Sequence, residues 1–323
     1  MIRTGLIATL SLAATSAAGD FSLVQPIACT LGQDCHVQQM VDHDPTDGAS
    51  DFRCGSLTYD GHKGTDFALP SLAAQAAGVS VLAAADGVVA GVRDGMPDIL
   101  QTGETAPDVA GRECGNGVVI RHDDGWETQY CHLAARSISV AGGDLVSAGD
   151  PLGRVGLSGQ TQFPHLHLSV RKDGQVVDPY DPDGLIICGD PDPDLLWSDI
   201  IPAPPGGIIS VGFSDAVPSY DAIKAGTATA TDLTTGSDAL VLWGYLFGSQ
   251  VGDIVKLTIL GPDGRPVFET TDVLDRTQAQ LFRAGGRRTP AGGWNPGLHT
   301  GRVELFRDGQ RKAMLTSEIV LTD

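Results

Sequence analysis

The sequence predicts a mainly β protein, an antiparallel-sheet domain followed by a small β-sandwich. Short runs rich in valine, leucine and isoleucine recur between glycine, proline and aspartate turns, as strands joined by tight connections do. Glycine is abundant (42 of 323 residues) and aromatic residues are few, which suits a turn-rich β protein better than a helical bundle. Only residues 72–77 and 134–137 read as even briefly helical. The length allows two domains, each with its own core.

Residues 1–18 read as a secretory signal peptide. Arg3 precedes an apolar core from Leu6 to Ala14, and the small residues Thr15-Ser16-Ala17-Ala18 suit cleavage. The apolar run is shorter than the about 20 residues a spanning helix needs, and no other long one follows, so no membrane insertion is expected. Export to the periplasm or the exterior fits the six cysteines, an even count that suggests disulfides. Proximity in sequence favours Cys35–Cys54 and Cys114–Cys131, which leaves Cys29–Cys188. A thiolate zinc site is disfavoured because no Cys-x-x-Cys occurs. The net charge of −19 argues against nucleic acid or anionic membrane as a partner.

Residues 19–54 form a polar arm with three of the cysteines, and its His36 and His43 read as surface residues. A sharper alternative has this arm crossing the functional cleft. Residues 55–190 are the first domain, with strands expected over 81–92, 117–121, 127–133, 151–155, 165–171 and 176–177. Asp123-Asp124-Gly125 joins two of them as a hairpin. Residues 191–207 are proline-rich and read as a semi-rigid linker. Residues 208–323 alternate at 240–245 and 255–260, turn at Pro262-Asp263-Gly264, and close with runs at 302–306 and 314–321. This pattern predicts an immunoglobulin-like β-sandwich, with a corner at Trp294-Asn295-Pro296-Gly297 and a structural or surface His299.

The chemistry concentrates in three segments. In Phe163-Pro164-His165-Leu166-His167-Leu168, two histidines one residue apart share a strand face. Buried together they need polar partners, and a metal would satisfy one of them. Upstream lies a His-x-x-x-Asp, His62 to Asp66, whose neighbouring Gly61, Gly64 and Pro70 favour a loop running into a short strand. Between the two lies Tyr130-Cys131-His132-Leu133. Tyr130 shares the strand face of His132 by alternation and reads as a packing residue. Asn116 reads as a turn residue and His122 as a surface one. Any one of these histidines alone is more often structural, but the joint pattern is not.

In this order and spacing the segments resemble the lysostaphin-type (LytM-like) zinc metallopeptidases of bacterial cell walls. That family's pattern is His-x-x-x-Asp, then Tyr-x-His-Leu, then His-x-His. The flanking Gly115-Asn116-Gly117-Val118 and the run from Val146 to Gly159 also look like the family's. The resemblance covers roughly residues 55–180 and is intact at every ligand position, with Asp94 to Cys114 looking like an insertion. It implies that His62, Asp66 and His167 hold Zn2+, and that His132 and His165 are the catalytic residues beside it. A His₂Asp set is a credible zinc site with one position left for water. No His-Glu-x-x-His motif supplies a glutamate base, so the two histidines would jointly orient or deprotonate water and stabilise the oxyanion.

The resemblance further implies a zinc metalloendopeptidase acting on peptidoglycan peptides in stems or cross-bridges. The C-terminal domain would then hold it on the wall or on a cell-envelope protein. The rival readings are a non-catalytic LytM-like binding or activator protein, a secreted protease acting on other proteins, and an envelope protein with a vestigial zinc site.

Overall fold

The computed structural model describes residues 21–102, 108–185, 188 and 194–323. The signal segment expected over residues 1–18 lies outside the described residues. The N-terminal half runs β1 (His36–Gln39), β2 (Thr65–Ala68), α1 (Leu72–Ala77), β3 (Ser80–Leu82), β4 (Gly87–Arg93), β5 (Asn116–Arg121), β6 (Trp126–Leu133), β7 (Leu145–Val146), β8 (Pro151–Arg154), β9 (His165–Lys172) and β10 (Gln175–Val177). Eight of these strands make one antiparallel sheet in the order β1-β2-β9-β6-β5-β4-β7, with β10 also paired to β9, while β3 and β8 form a separate ribbon. The C-terminal half runs β11 (Gly207–Ser214), α2 (Tyr220–Ala225), β12 (Ala239–Ser249), β13 (Ile254–Leu260), β14 (Pro266–Val273), β15 (Gln278–Arg288), β16 (Gly297–Arg307) and β17 (Gln310–Leu321). Its sheets, β11-β12-β15 and β14-β13-β16-β17, face each other across a core of Leu242, Leu246, Leu257, Val303 and Leu305.

The mainly β, antiparallel expectation is borne out, with local differences. The run expected over 81–92 is two strands, because the chain turns at Ala83, whose N–H donates to Asp150 O at 2.8 Å. Residues 134–137 make a turn rather than a helix, since Arg136 lies in the left-handed region at φ 60. Helix α1 forms where expected, with the Ser71 hydroxyl accepting from Ala74 N at 3.2 Å. The short α2 and the strand β15 carried no clear pattern. His299 is buried and structural, donating from Nδ1 to Gly297 O at 3.1 Å.

The arm borders the cleft, with Gln38 and Gln39 in the lining of the cavity that holds Asp66, His132 and His165. It adds β1 to the sheet edge beside β2, with Val37 opposite Phe67, and Leu23 and Ile27 enter the core. His36 is buried rather than on the surface. Its Nε2 lies 3.0 Å from Gln38 Oε1, and its ring packs on Phe247 at 4.4 Å. His43 is half-buried and pairs with Asp178 at 2.9 Å. His122 is likewise a joint: its Nδ1 donates to Asp86 O at 2.6 Å and its Nε2 lies 2.8 Å from Thr128 Oγ1.

Two of the three disulfide pairings differ from those expected. The bridges are Cys29–Cys35, Cys54–Cys188 and Cys114–Cys131, and only the last matches. Cys29 and Cys35 close a tight loop in which Gly32 N donates to Cys35 O at 2.7 Å, while β1 then carries the chain away from Cys35. Cys54 is thereby left for Cys188, at a Cα separation of 5.2 Å.

The linker also differs from a spacer. Leu196, Trp197, Ile201 and Ala203 are buried in the first core, and Leu23 N donates to Leu196 O at 2.7 Å. The same core takes in Trp243, Tyr245 and Phe247 from β12. Alternate residues of that strand, Leu240, Leu242 and Leu246, belong to the sandwich core. Strand β12 is therefore covered on both faces, which explains its continuous apolar run.

Two outcomes are expected. In the chain-entropy model, removing a bridge by paired Cys→Ser changes costs about 5 kcal/mol for Cys54–Cys188, about 3 for Cys114–Cys131 and about 2 for Cys29–Cys35. Denaturant melts that rank the three otherwise would reject this account. Burial lowers the His36 pKa to about 4, partly opposed by its Gln38 hydrogen bond. The unfolded chain therefore binds this proton more readily. Its contribution to stability is full above pH 6.5 and is lost as pH falls towards 4, by on the order of 3 kcal/mol. His36→Gln should flatten the stability profile in that window, measured by urea melts across pH.

Candidate active site

The site is built where β2, β9 and the end of β6 meet. Asp66 sits opposite His167 in the β2–β9 ladder, and Cys131 sits opposite His167 in the β6–β9 ladder. Residues opposite one another share a face, so Asp66, His165 and His167 project together, as the His-x-His pattern predicts. His62 approaches from the loop before β2. Its Nε2 lies 3.2 Å from Asp66 Oδ1 and 3.1 Å from His167 Nδ1, and His167 Nδ1 lies 2.8 Å from the same carboxylate oxygen.

His132 reaches this face by a different route. Alternation places it with Tyr130, which pairs with Leu168 on the opposite, core face. A bulge between Asn116 and Val118 and a left-handed φ of 63 at His132 turn its side chain over. Its ring then lies 4.6 Å from that of His165 and 6.0 Å from that of His167. The expectation that Tyr130 and His132 share a face is thus corrected. Tyr130 packs as expected, its hydroxyl accepting from Ala84 N at 2.7 Å.

A non-glycine residue at positive φ is held there by its surroundings. His132 N donates to Cys114 O at 2.8 Å, and its own carbonyl accepts from Gly156 N at 2.9 Å. His132 Nδ1 donates to Ser158 O at 2.9 Å, and Ser158 Oγ donates to Leu133 O at 2.7 Å. Asn116 is a buried brace rather than a turn residue, donating from Nδ2 to Leu133 O at 3.1 Å and to Met96 O at 2.8 Å. Gly117 is required beneath the bulge, since a Cβ there would come 2.5 Å from Tyr130 O and 2.9 Å from Cys114 Sγ. Ser158 and the Met40 carbonyl were not singled out in the sequence, because backbone acceptors leave no residue-type signal.

The donor set fits a metal ion. His62 Nδ1 donates to Met40 O at 2.6 Å, which turns Nε2 towards the Asp66 carboxylate. His62 Nε2, His167 Nδ1 and Asp66 Oδ1 converge on one point. Their separations of 2.8, 3.1 and 3.2 Å are close to the about 3.3 Å edge of a tetrahedron with bonds of about 2.0 Å. His62, Asp66 and His167 form a compact three-donor cluster of this kind. The other such group among the described residues, Cys29, Asp34 and Cys35, contains a disulfide and offers no thiolates.

Electrostatics divides the histidines. Burial opposes ionisation of Asp66, but the histidines around it outweigh burial and hold its carboxyl well below the usual range. Burial pushes the His132 pKa well below its ordinary value, and the neighbouring His165 and His167 push it further. Burial lowers His165 as well, against the charge of Asp66. His165 Nδ1 donates to Phe163 O at 2.9 Å, leaving Nε2 at 3.6 Å from Asp66 Oδ1. Both rings are neutral at pH 7. Asp66, His132 and His165 line a cavity of about 640 Å³, which Tyr59 and Phe163 also border.

Residues 60–179 match the model of Peptidase family M23, and this chain carries a domain of that family. The DD-carboxypeptidase/endopeptidase Mpg of Neisseria meningitidis is 38% identical over 120 residues, 36% of this chain and 22% of that protein. The peptidoglycan DD-endopeptidase ShyA of Vibrio cholerae is 34% identical over 116 residues, 36% of this chain and 21% of that one. The chain thus spans about a fifth of the length of these curated relatives. Among solved structures, the catalytic domain of the prophage-encoded M23 protein EnpA from Enterococcus faecalis is 26% identical, with a TM-score of 0.33. That match covers 51% of this chain and 97% of that one.

Gly64 sits under His167, where an added Cβ would come 2.6 Å from Nε2 and 2.5 Å from Leu168 O. Gly64→Ala should displace the ring and weaken zinc binding by at least about tenfold. Chelator competition measures this, and an unchanged affinity would contradict the assignment of His167.

Proposed function

We propose that the protein is an exported, zinc-dependent endopeptidase that hydrolyses peptide bonds in the stems or cross-bridges of peptidoglycan. The observation that carries this reading is the convergence of His62, Asp66 and His167 beside two further imidazoles, His132 and His165, which line a cavity together with Asp66. The names of the relatives support the substrate class. Three disulfides support an oxidising compartment, and no described helix is long and apolar enough to cross a membrane. In this reading the catalytic unit is residues 55–190 with the arm 19–54, and residues 208–323 are an immunoglobulin-like sandwich.

Zinc held by His62, Asp66 and His167 would supply Lewis acidity to the scissile carbonyl and to water. The chain does the rest. Met40 O and Ser169 Oγ fix the rings of His62 and His167. His132, with its Nδ1 proton committed to Ser158 O, presents Nε2 as the acceptor for the proton of the attacking water. It returns that proton to the leaving amine. His165, its Nδ1 proton likewise held by the Phe163 carbonyl, presents Nε2 as a further acceptor that orients the attacking water.

The test is digestion of peptidoglycan by zinc-loaded protein, with new amine termini counted. His132→Ala and His165→Ala should each lower kcat by about 100-fold or more while retaining one zinc. Asp66→Asn should lose the metal. Wild type that holds one zinc and releases no amine would hand the site to the binding-module reading.

A further inference from the structure

The catalytic cavity is not walled by the peptidase half alone. Tyr220 and Lys224 of α2, and Gln278 and Gln280 of β15, line it together with Asp66, His132 and His165. This wall is fixed. Gln280 Nε2 donates to Gln38 Oε1 at 3.1 Å, Gln38 Nε2 donates to Ala279 O at 3.0 Å, and the Tyr245 hydroxyl donates to Gln280 Oε1 at 2.6 Å. Tyr220 stacks on Phe282 at 5.5 Å and meets Tyr245 edge-on at 5.9 Å. Ile223, on the same helix, is buried in the core shared by the two halves. Helix α2 therefore holds a set position beside the site.

The chemistry of the lining is specific. Among the described lining residues, Lys224 is the one ammonium, and the one carboxylate is Asp66, which the histidines engage. The remaining polar groups are largely glutamine amides, suited to a peptide backbone. Lys224 Nζ lies 4.8 Å over the Tyr220 ring and 3.0 Å from Asp221 Oδ1, a carboxylate that is 91% exposed. An ion pair that open to water is weak and exchanges with an arriving anion. The protein as a whole carries −19 and repels anions, so an ammonium in the cleft is a local exception.

We infer that the C-terminal sandwich completes the substrate site, and that Lys224 receives a free carboxylate of the bound peptide. Lys224 is thereby a specificity-determining residue, and the substrate class is a peptide carrying a carboxylate near the scissile bond. This rests on the peptidase reading above.

The experiment uses the full zinc-loaded chain and synthetic cross-linked stem peptides in three forms: carboxyl groups free, C-terminally amidated, or side-chain amidated. Both kcat and KM are measured, and Kd by calorimetry on the same peptides. Wild type should prefer the free-acid form over one of the two amidated forms by about tenfold in KM, with kcat little changed. The two amidated arms show whether the carboxylate is terminal or in a side chain. Lys224→Gln should abolish the preference, raising KM and Kd for the free-acid peptide about tenfold to the level of the amidated one. Lys224→Arg should restore it, and Asp221→Asn should strengthen it two- to threefold. If the peptides bind without being cleaved, the peptidase reading fails, and the Kd comparison still decides the role of Lys224. A preference that survives Lys224→Gln, or that wild type lacks in both KM and Kd, overturns the proposal.

Discussion

A carboxylate with 2% of its surface exposed is the constraint on which the N-terminal half depends. An ionised Asp66 cannot stay buried without partners, because the interior offers little solvation to a charge. The fold answers with imidazoles from three directions: His62 from a loop, His165 and His167 from β9, and His132 behind them from β6. The β2–β9 register brings Asp66 and His167 into opposition. A slip of one residue would send Asp66 to the core face and leave the histidines without it. Strand β1 pairs along the other edge of β2, so the arm helps to hold that register as well as supplying the Met40 carbonyl.

The second demand is the position of His132, which ordinary strand alternation would deny. The left-handed turn at this residue is held by the Cys114 carbonyl, the adjoining disulfide, the Asn116 amide and Ser158. Strain at His132 is thereby supported by parts of the chain that do not line the cavity. The segment between β4 and β5 takes part too. Asp98 accepts from Leu157 N at 2.7 Å and from Ala135 N at 2.9 Å, which steadies the turns on either side of His132 and Ser158.

What the sequence disclosed follows from the range of each signal. His165 and His167 on one strand, and most strands of the peptidase sheet, are short-range patterns and were legible. The convergence of His62, Asp66 and His167 was legible only through motif order, because their meeting depends on long-range register. The bulge at His132 was hidden, since a positive φ on a histidine has no signature in residue type. Cys35 and Cys54 are neighbours in sequence, but β1 separates them in space. The apolar run from Leu240 to Phe247 did hold a clue, because an unbroken run signals a strand covered on both faces. Reading it as alternation concealed the packing of the sandwich against the peptidase half.

The bridge between Cys54 and Cys188 has a topological consequence. It closes the chain into a covalent ring that contains His62, Asp66, His132, His165 and His167. A single backbone cut anywhere inside that ring leaves both fragments joined, and the five side chains remain on one molecule. In an environment shared with other proteases, such a nick is survivable. A cut outside this ring and the small Cys29–Cys35 loop severs only an N-terminal segment or the sandwich from the site.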